Sequence, residues 1–161
     1  MASIVLTEQP ECGPVSVLRW AASRTSVARM GLPDFPVRAS IGVTDIQRAV
    51  DFYEGVLGLE KAGEGPSADI EGGGRTYRAG GGTMLNVFET PNAGGAKSTV
   101  ATWYVDDLDV VLDELTQAGA QIPRYDGLGQ DERGVAPRAG GGRIFWIADP
   151  DGNTIAIEAD D

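Results

Sequence analysis

Val43-Thr44-Asp45-Ile46-Gln47-Arg48-Ala49-Val50-Asp51-Phe52-Tyr53-Glu54-Gly55-Val56-Leu57-Gly58-Leu59 is the stretch on which the fold turns. From Ile46, apolar side chains fall at Ala49, Val50, Tyr53, Val56 and Leu57. That i, i+3, i+4, i+7 spacing predicts a helix with one buried face. Thr44 and Gln47 have the spacing of a capping box, and Gly58 ends the pattern. A short strand is expected just ahead, over residues 38–43. Sixty-two positions later the layout returns. A strand over 99–105 leads into Asp106-Asp107-Leu108, then Val111, Leu112, Leu115 and a terminal Gly119.

The second half of each unit recurs as well. Gly72-Gly73-Gly74-Arg75 precedes a strand over 76–79, and Gly140-Gly141-Gly142-Arg143 precedes one over 144–148. A turn follows each, at 80–82 and at Asp149-Pro150-Asp151-Gly152, and each turn opens a closing strand, 84–89 or 154–158. The triple glycines lack the strand-loop-helix context with Lys and Ser/Thr that a phosphate cradle needs, so they read as hairpin loops. One further strand after each helix, over 59–65 and 121–126, gives eight strands and two main helices in two βαβββ modules. Module one covers 37–89, a Pro/Gly-rich linker 90–97, and module two 98–159.

The 161 residues are 42% hydrophobic, enough for one domain with a real core. No apolar run of 18 residues exists, so no membrane span is expected. The formal charge of −11 disfavours nucleic acid as a partner. One cysteine, Cys12, excludes an intramolecular disulfide. The absence of histidine removes Ser-His-Asp and Cys-His nucleophiles and every histidine-ligated metal. Residues 1–36 read as a poorly ordered N-terminal extension. Within it 15–22 offers at most a turn or two of helix, and Pro33 and Pro36 break regular structure. Met30 would suit a natural chain start, which makes 1–29 an optional extension. Cys12 is then an incidental thiol with no histidine to activate it. The segment lacks the basic start and long apolar stretch of a signal peptide, so a cytoplasmic location is the default expectation.

The 43–59 stretch resembles the helix signature of the vicinal oxygen chelate superfamily, which includes glyoxalase I, bleomycin-resistance proteins, methylmalonyl-CoA epimerase and extradiol dioxygenases. Asp149-Pro150-Asp151-Gly152-Asn153 resembles the turn before that family's last strand. The resemblance covers residues 37–159. It implies an α+β glyoxalase-like fold over 37–161, with a curved mixed sheet and helices on its convex side. It also implies four metal-ligand positions, two per module. These fall on Arg38, Asn86, Val100 and Ala156. Arg carries no lone pair for a cation, Val and Ala offer no donor atom, and a lone amide oxygen is a weak ligand. Glu158 lies two residues past the expected place and lacks partners. No metal and no other cofactor is therefore expected.

Strand alternation says what lines the vacated concavity. Arg38, Ser40 and Gly42, then Met84, Asn86 and Phe88, then Val100, Thr102 and Tyr104, and finally Thr154, Ala156 and Glu158 share one face. The other face is apolar throughout, with Ile41, Val43, Leu85, Val87, Trp103, Ile155 and Ile157 among its members, and suits packing under the helices. Arg38, Ser40, Asn86, Phe88, Thr102, Tyr104 and Glu158 are accordingly the candidate ligand-binding residues. Arg38 either binds an anionic ligand group or pairs with Glu158. Tyr104 and Phe88 either stack on a ligand or simply wall the cavity. The phase of Trp146, pocket or core, is not set by any motif. Asp106, Asp107 and Asp109 read as helix capping rather than a calcium site. Residues 127–137 form an insertion long enough for a lid or a subunit contact.

Two functions compete, beside a third reading as a purely structural or protein-interaction module whose cavity is vestigial. One is a homodimeric small-molecule-binding protein, similar to the bleomycin-resistance proteins, with the acidic charge favouring a cationic ligand. The other is a metal-independent enzyme, a lyase or isomerase, using Glu158 as general base with Tyr104 or Arg38 stabilising negative charge. Metal-dependent glyoxalase or dioxygenase chemistry is disfavoured by the missing ligands.

Overall fold

The computed structural model describes residues 35–63, 73–94, 96 and 98–160, together with Leu32. The expectations placed on residues 1–29, on Cys12, on Gly72 and on the end of the 59–65 strand lie outside those residues. The chain divides into two compact units, Met1–Asp34 and Phe35–Asp161, and the duplicated pattern falls wholly within the second.

Each module opens with a strand and a helix. In module one these are β1 (Ala39–Val43) and α1 (Ile46–Val50), which continues as a π-helical stretch, Asp51–Val56. Strands β2 (Gly74–Arg78) and β3 (Met84–Glu89) follow. Module two has β4 (Thr99–Tyr104), α2 (Leu108–Gln117), a two-residue β5 (Ala136–Pro137), β6 (Arg143–Ala148) and β7 (Thr154–Ala159). The strands form two mixed sheets, ordered β1-β3-β2 and β4-β7-β6-β5, in which β1/β3 and β4/β7 are the parallel pairs.

The expected strands over 59–65 and 121–126 shrink to isolated bridges, Lys61 with Tyr77 and Gln121 with Ala148. In the first, Gly58 and Gly63 both have positive φ and bracket a ladder of two bonds, Ala62 N to Thr76 O and Arg78 N to Glu60 O. In the second, Pro123 has no N–H to give, and the Tyr125 N–H bonds the Gln130 side chain instead. β5 lines up there, pairing with Arg143 and Ile144. The named strands among the described residues are therefore seven, and β5 was not foreseen.

The helix starts also differ in one detail. Asp45, not Thr44, caps α1, accepting from the N–H groups of Gln47 and Arg48, and Asp107 does the same for α2. Thr44 is drawn elsewhere because its hydroxyl donates to Asp151. Ala49, Phe52 and Tyr53 from the first helical segment, and Leu108 and Leu112 from α2, bury against Ile41, Val43, Leu85, Val87, Ile155 and Ile157. Side chains of this size contribute about 1.5–3 kcal/mol each on burial. The apolar alternation read from the strands thus faces the helices, as expected.

The Asp149–Asn153 turn joins the modules within one chain. The Tyr53 hydroxyl donates to Asp149 Oδ2 at 3.0 Å. Asn153 Nδ2 donates to the same oxygen and to the Gly42 carbonyl, while Arg48 pairs with Asp151 at 2.8 Å. Asp149 also accepts from the Asp151 and Asn153 N–H groups, so its buried carboxylate is fully hydrogen-bonded.

Candidate functional site

Strands β1 and β4 are the edges of their sheets and lie against each other, so β3, β1, β4 and β7 are the central strands of the Phe35–Asp161 unit. The register then assigns each side chain on the face away from the helices, the open face. Ser40, Asn86 and Thr76 form one row across β1, β3 and β2, and Gly42, Phe88 and Gly74 the next. In the second sheet Thr102, Ala156 and Trp146 form a row, flanked by Tyr104, Glu158 and Ile144. Trp146 therefore stands on the open face, which settles its phase.

Six of the seven candidates hold these register positions: Ser40, Asn86, Phe88, Thr102, Tyr104 and Glu158. Arg38 precedes β1 by one residue and is exposed. Asn86 is fixed from both ends: its Oδ1 accepts from Thr76 Oγ1 at 3.0 Å, and its Nδ2 donates to Ser40 Oγ at 3.4 Å. Tyr104 is 76% exposed. Glu158 pairs with Arg138 at 3.2 Å, so the Arg38–Glu158 alternative does not hold. Arg138 reaches it from the loop just after β5, and also bonds Asp160. Val100 departs from simple alternation, because the β4/β7 register shifts between Thr99 and Ala101 and leaves it on a bulge.

The residues at the superfamily's ligand positions do not fit a metal ion. Arg38 is a cation, Asn86 spends its oxygen on Thr76, Val100 is bulged and apolar, and Ala156 is buried. No group of three or more His, Cys, Asp or Glu side chains among the described residues could hold one.

The insertion over 127–137 is held by several side-chain contacts. Asp131 accepts from the N–H groups of Arg133 and Val135, Gln130 bonds the Pro123 and Gly134 carbonyls, and Arg133 pairs with Asp109 and Asp113. Backbone donors, Val135 first, hold the Asp131 carboxyl below its usual range. Just before the insertion, Tyr125 packs edge-on against Trp146 with ring centroids 5.5 Å apart, and its hydroxyl lies 3.1 Å from Thr154 Oγ1. Tyr125 falls in the strand expected over 121–126, whose facing no motif sets, and the structure makes that segment a loop, so sequence reasoning missed it. The strongly raised hydroxyl groups, Tyr53 and Tyr77, owe their shift first to burial and belong to the core.

Two hollows meet this face. A cleft of about 450 Å³ opens at one end of the β1/β4 seam, lined by residues that include Val37, Ala39, Met84, Thr102, Trp103 and Tyr104. A smaller one of about 210 Å³ lies toward the other end, between Ser40, Gly42, Val100 and Asn92. Of the seven candidates, Thr102 and Tyr104 line the first and Ser40 the second, while Arg38, Asn86, Phe88 and Glu158 line neither.

The sequence matches the profile of the Glyoxalase/Bleomycin resistance protein/Dioxygenase superfamily over residues 36–157. The chain belongs to that superfamily. Among solved structures it is similar to a glyoxalase/bleomycin resistance protein from Catenulispora acidiphila DSM 44928, with TM-score 0.59 and 25% identity, covering 79% of this chain and 99% of that one. Two more distant likenesses show the fold alone. An antibiotic-binding protein from Streptomyces sp. CB03234 gives TM-score 0.58 at 23% identity, over 77% of this chain and 93% of that one. A lactoylglutathione lyase from Agrobacterium tumefaciens gives 0.56 at 18% identity, over 79% and 94%. No curated protein matches the sequence. No helix among the described residues is long and apolar enough to cross a membrane.

Proposed function

We propose that this superfamily member binds a small molecule on the open face of its central strands without a metal, holding the ligand rather than transforming it, and works as a homodimer. The observation that carries this reading is the make-up of the face. Where the metal-dependent relatives need four donors there are Arg38, Asn86, Val100 and Ala156, flanked by the Trp146–Tyr125 pair, Phe88 and Tyr104. Aromatic walls with a few fixed polar groups are the usual constitution of a small-molecule site. The antibiotic-binding description of one structural neighbour is consistent with it.

Thermal-shift screening of a mixed metabolite and antibiotic library, followed by titration of hits, tests the proposal. Trp146→Ala and Tyr104→Ala are each expected to weaken a hit by about 1–3 kcal/mol. Hits that bind both variants as tightly as the parent would place the site elsewhere. Dialysis against zinc, nickel or manganese is expected to leave well under one metal per chain, and one tightly held ion per chain would overturn the metal-free part. A monomer in sedimentation at micromolar concentration would remove the homodimer from the reading.

A further inference from the structure

We infer that the hollow between α2 and the helix-facing side of β4, β6 and β7 is a second binding site, which takes a single uncharged aromatic ring without hydrogen-bonding groups. It is on the other side of the strands from the open face and does not depend on the binding reading above.

The hollow has a volume of about 100 Å³ and draws its walls from both modules. Leu57 and Leu59 come from module one, and Trp103, Val111, Leu115 and Ile147 are among those from module two. The lining is apolar throughout, with the Trp103 indole N–H as its one polar side-chain group.

The internal repeat shows what fills the matching space in module one. The Leu59 N–H bonds the Tyr53 carbonyl as the Ala120 N–H bonds the Leu115 carbonyl, so Leu115 stands in α2 where Tyr53 stands in the first helical segment. Ile147 is opposite Ile155 on β7 as Tyr77 is opposite Leu85 on β3, which puts Ile147 in the place of Tyr77. Tyr53 and Tyr77 are fully buried and stack with ring centroids 5.9 Å apart. Module two thus has two aliphatic side chains where module one packs two rings. Other walls are larger in return, with Trp103 for Ile41, Val111 for Ala49 and Leu59 for Ala120. They do not close the gap, and about 100 Å³ remains.

The chemistry of the gap decides the ligand class. The Tyr53 and Tyr77 hydroxyls are accepted by Asp149 and Glu54. The hollow has no matching acceptor among its lining residues. Thr116, at the position of Glu54, donates its hydroxyl to the Leu112 carbonyl, and the Gly80–Gly82 turn has no carboxylate in the place of Asp149. A charged or hydrogen-bonding group would lose its water there without gaining a partner. Apolar cavities of this order stay dry and take benzene-sized molecules. Leu57, Leu59, Val111 and Leu115 are half-buried, which leaves the ring a way in.

Toluene titrated calorimetrically into the full-length protein tests this, with benzoate and benzylammonium as charged rings of similar size. Toluene should bind at one per chain, and at least about tenfold more tightly than either charged ring. Leu115→Phe puts a ring into the gap from the chain itself and should abolish toluene binding, with circular dichroism reporting the fold. Leu59→Phe fills the gap from module one and should weaken toluene about tenfold, which keeps the test decisive if Leu115→Phe does not fold. Tyr104→Ala alters the open cleft and not the hollow, so toluene affinity should change by less than about twofold. No binding to the parent, or binding that ignores the filling variants, would overturn the site. Binding lost in Tyr104→Ala and kept in the filling variants would put the ring in the open cleft, and would equally overturn it. Charged rings held as tightly as toluene would overturn the ligand class.

Discussion

Asp149 is a buried carboxylate whose partners come from both modules. Its hydrogen bonds run to the Tyr53 hydroxyl, to Asn153 Nδ2 and to the N–H groups of Asp151 and Asn153. Removing one donor leaves a buried acceptor short of a partner, which costs about 1–3 kcal/mol and more for a charged group. Tyr53→Phe keeps the ring, its edge contact with Phe52 and its stack on Tyr77, and deletes only the hydroxyl. A loss of about 1–3 kcal/mol in urea unfolding is therefore expected, with an unchanged m-value. Stability equal to the parent would mean that the hydroxyl contributes nothing to holding Asp149. Glycine is required at one nearby hairpin for a different reason. Gly142 has φ +82°, and a Cβ there would sit on the Ala159 carbonyl. Gly142→Ala should accordingly destabilise more than the same change at Gly140, where the added Cβ meets open space.

The elements show where sequence reading succeeds and where it stops. Both helices were legible because their apolar faces repeat at helical spacing, and the face alternation of β1, β3 and β7 followed from period two. The capping box was misplaced by one residue, since Thr44 and Asp45 are both good caps and only the long-range pull of Asp151 separates them. The bulge at Val100 and the replacement of one expected strand by Ala136–Pro137 depend on which backbone groups find partners across the sheet, and no local signal records that. Arg138 as the partner of Glu158 was hidden for the same reason. At this scale Asp107→Ala is expected to cost about 0.5–2 kcal/mol, because two N–H groups at the start of α2 lose their acceptor. A second expectation concerns acid. The Asp109 carboxyl is held below its usual range, chiefly by the Arg143 hydrogen bond, and the Asp131 carboxyl by backbone donors led by Val135. Depressed folded values mean that the stabilisation is present above the ordinary aspartate value of 3.8 and is lost as pH falls through the folded value. Hydrogen exchange over residues 131–135, corrected for the intrinsic rate, should therefore rise only below about pH 4. Loss of protection already at pH 5–6 would count against Asp131 as the pin.

For the whole molecule, the question is what makes two repeated modules behave as one body. Their sheets share no backbone ladder, since β1 and β4 are both edge strands. What joins them is the Asp149–Asn153 turn, through Tyr53, Gly42 and the Arg48–Asp151 pair, together with a core whose buried members come from both halves. The family resemblance pointed to this turn as a motif, and its structural work explains why those residue types are needed. Two carboxylates, an amide and a tight Gly turn supply acceptors and donors to the other module at one point. A carboxylate with hydrogen-bonded partners across an interface couples the two sides more strongly than an exposed ion pair does. The parent is therefore expected to melt in one transition, with calorimetric and van't Hoff enthalpies equal. In Asp149→Ala, Tyr53 and Asn153 lose their common acceptor, while the helix-facing core of each module remains. That variant should show either two transitions or a ratio of calorimetric to van't Hoff enthalpy above one, and exchange protection of β6 and β7 should separate from that of β1 and β3. The conservative Asp149→Asn, which keeps one acceptor oxygen, should fall between. A single transition with equal enthalpies in Asp149→Ala would show that the shared apolar core alone couples the modules, and that the turn only shapes the chain locally.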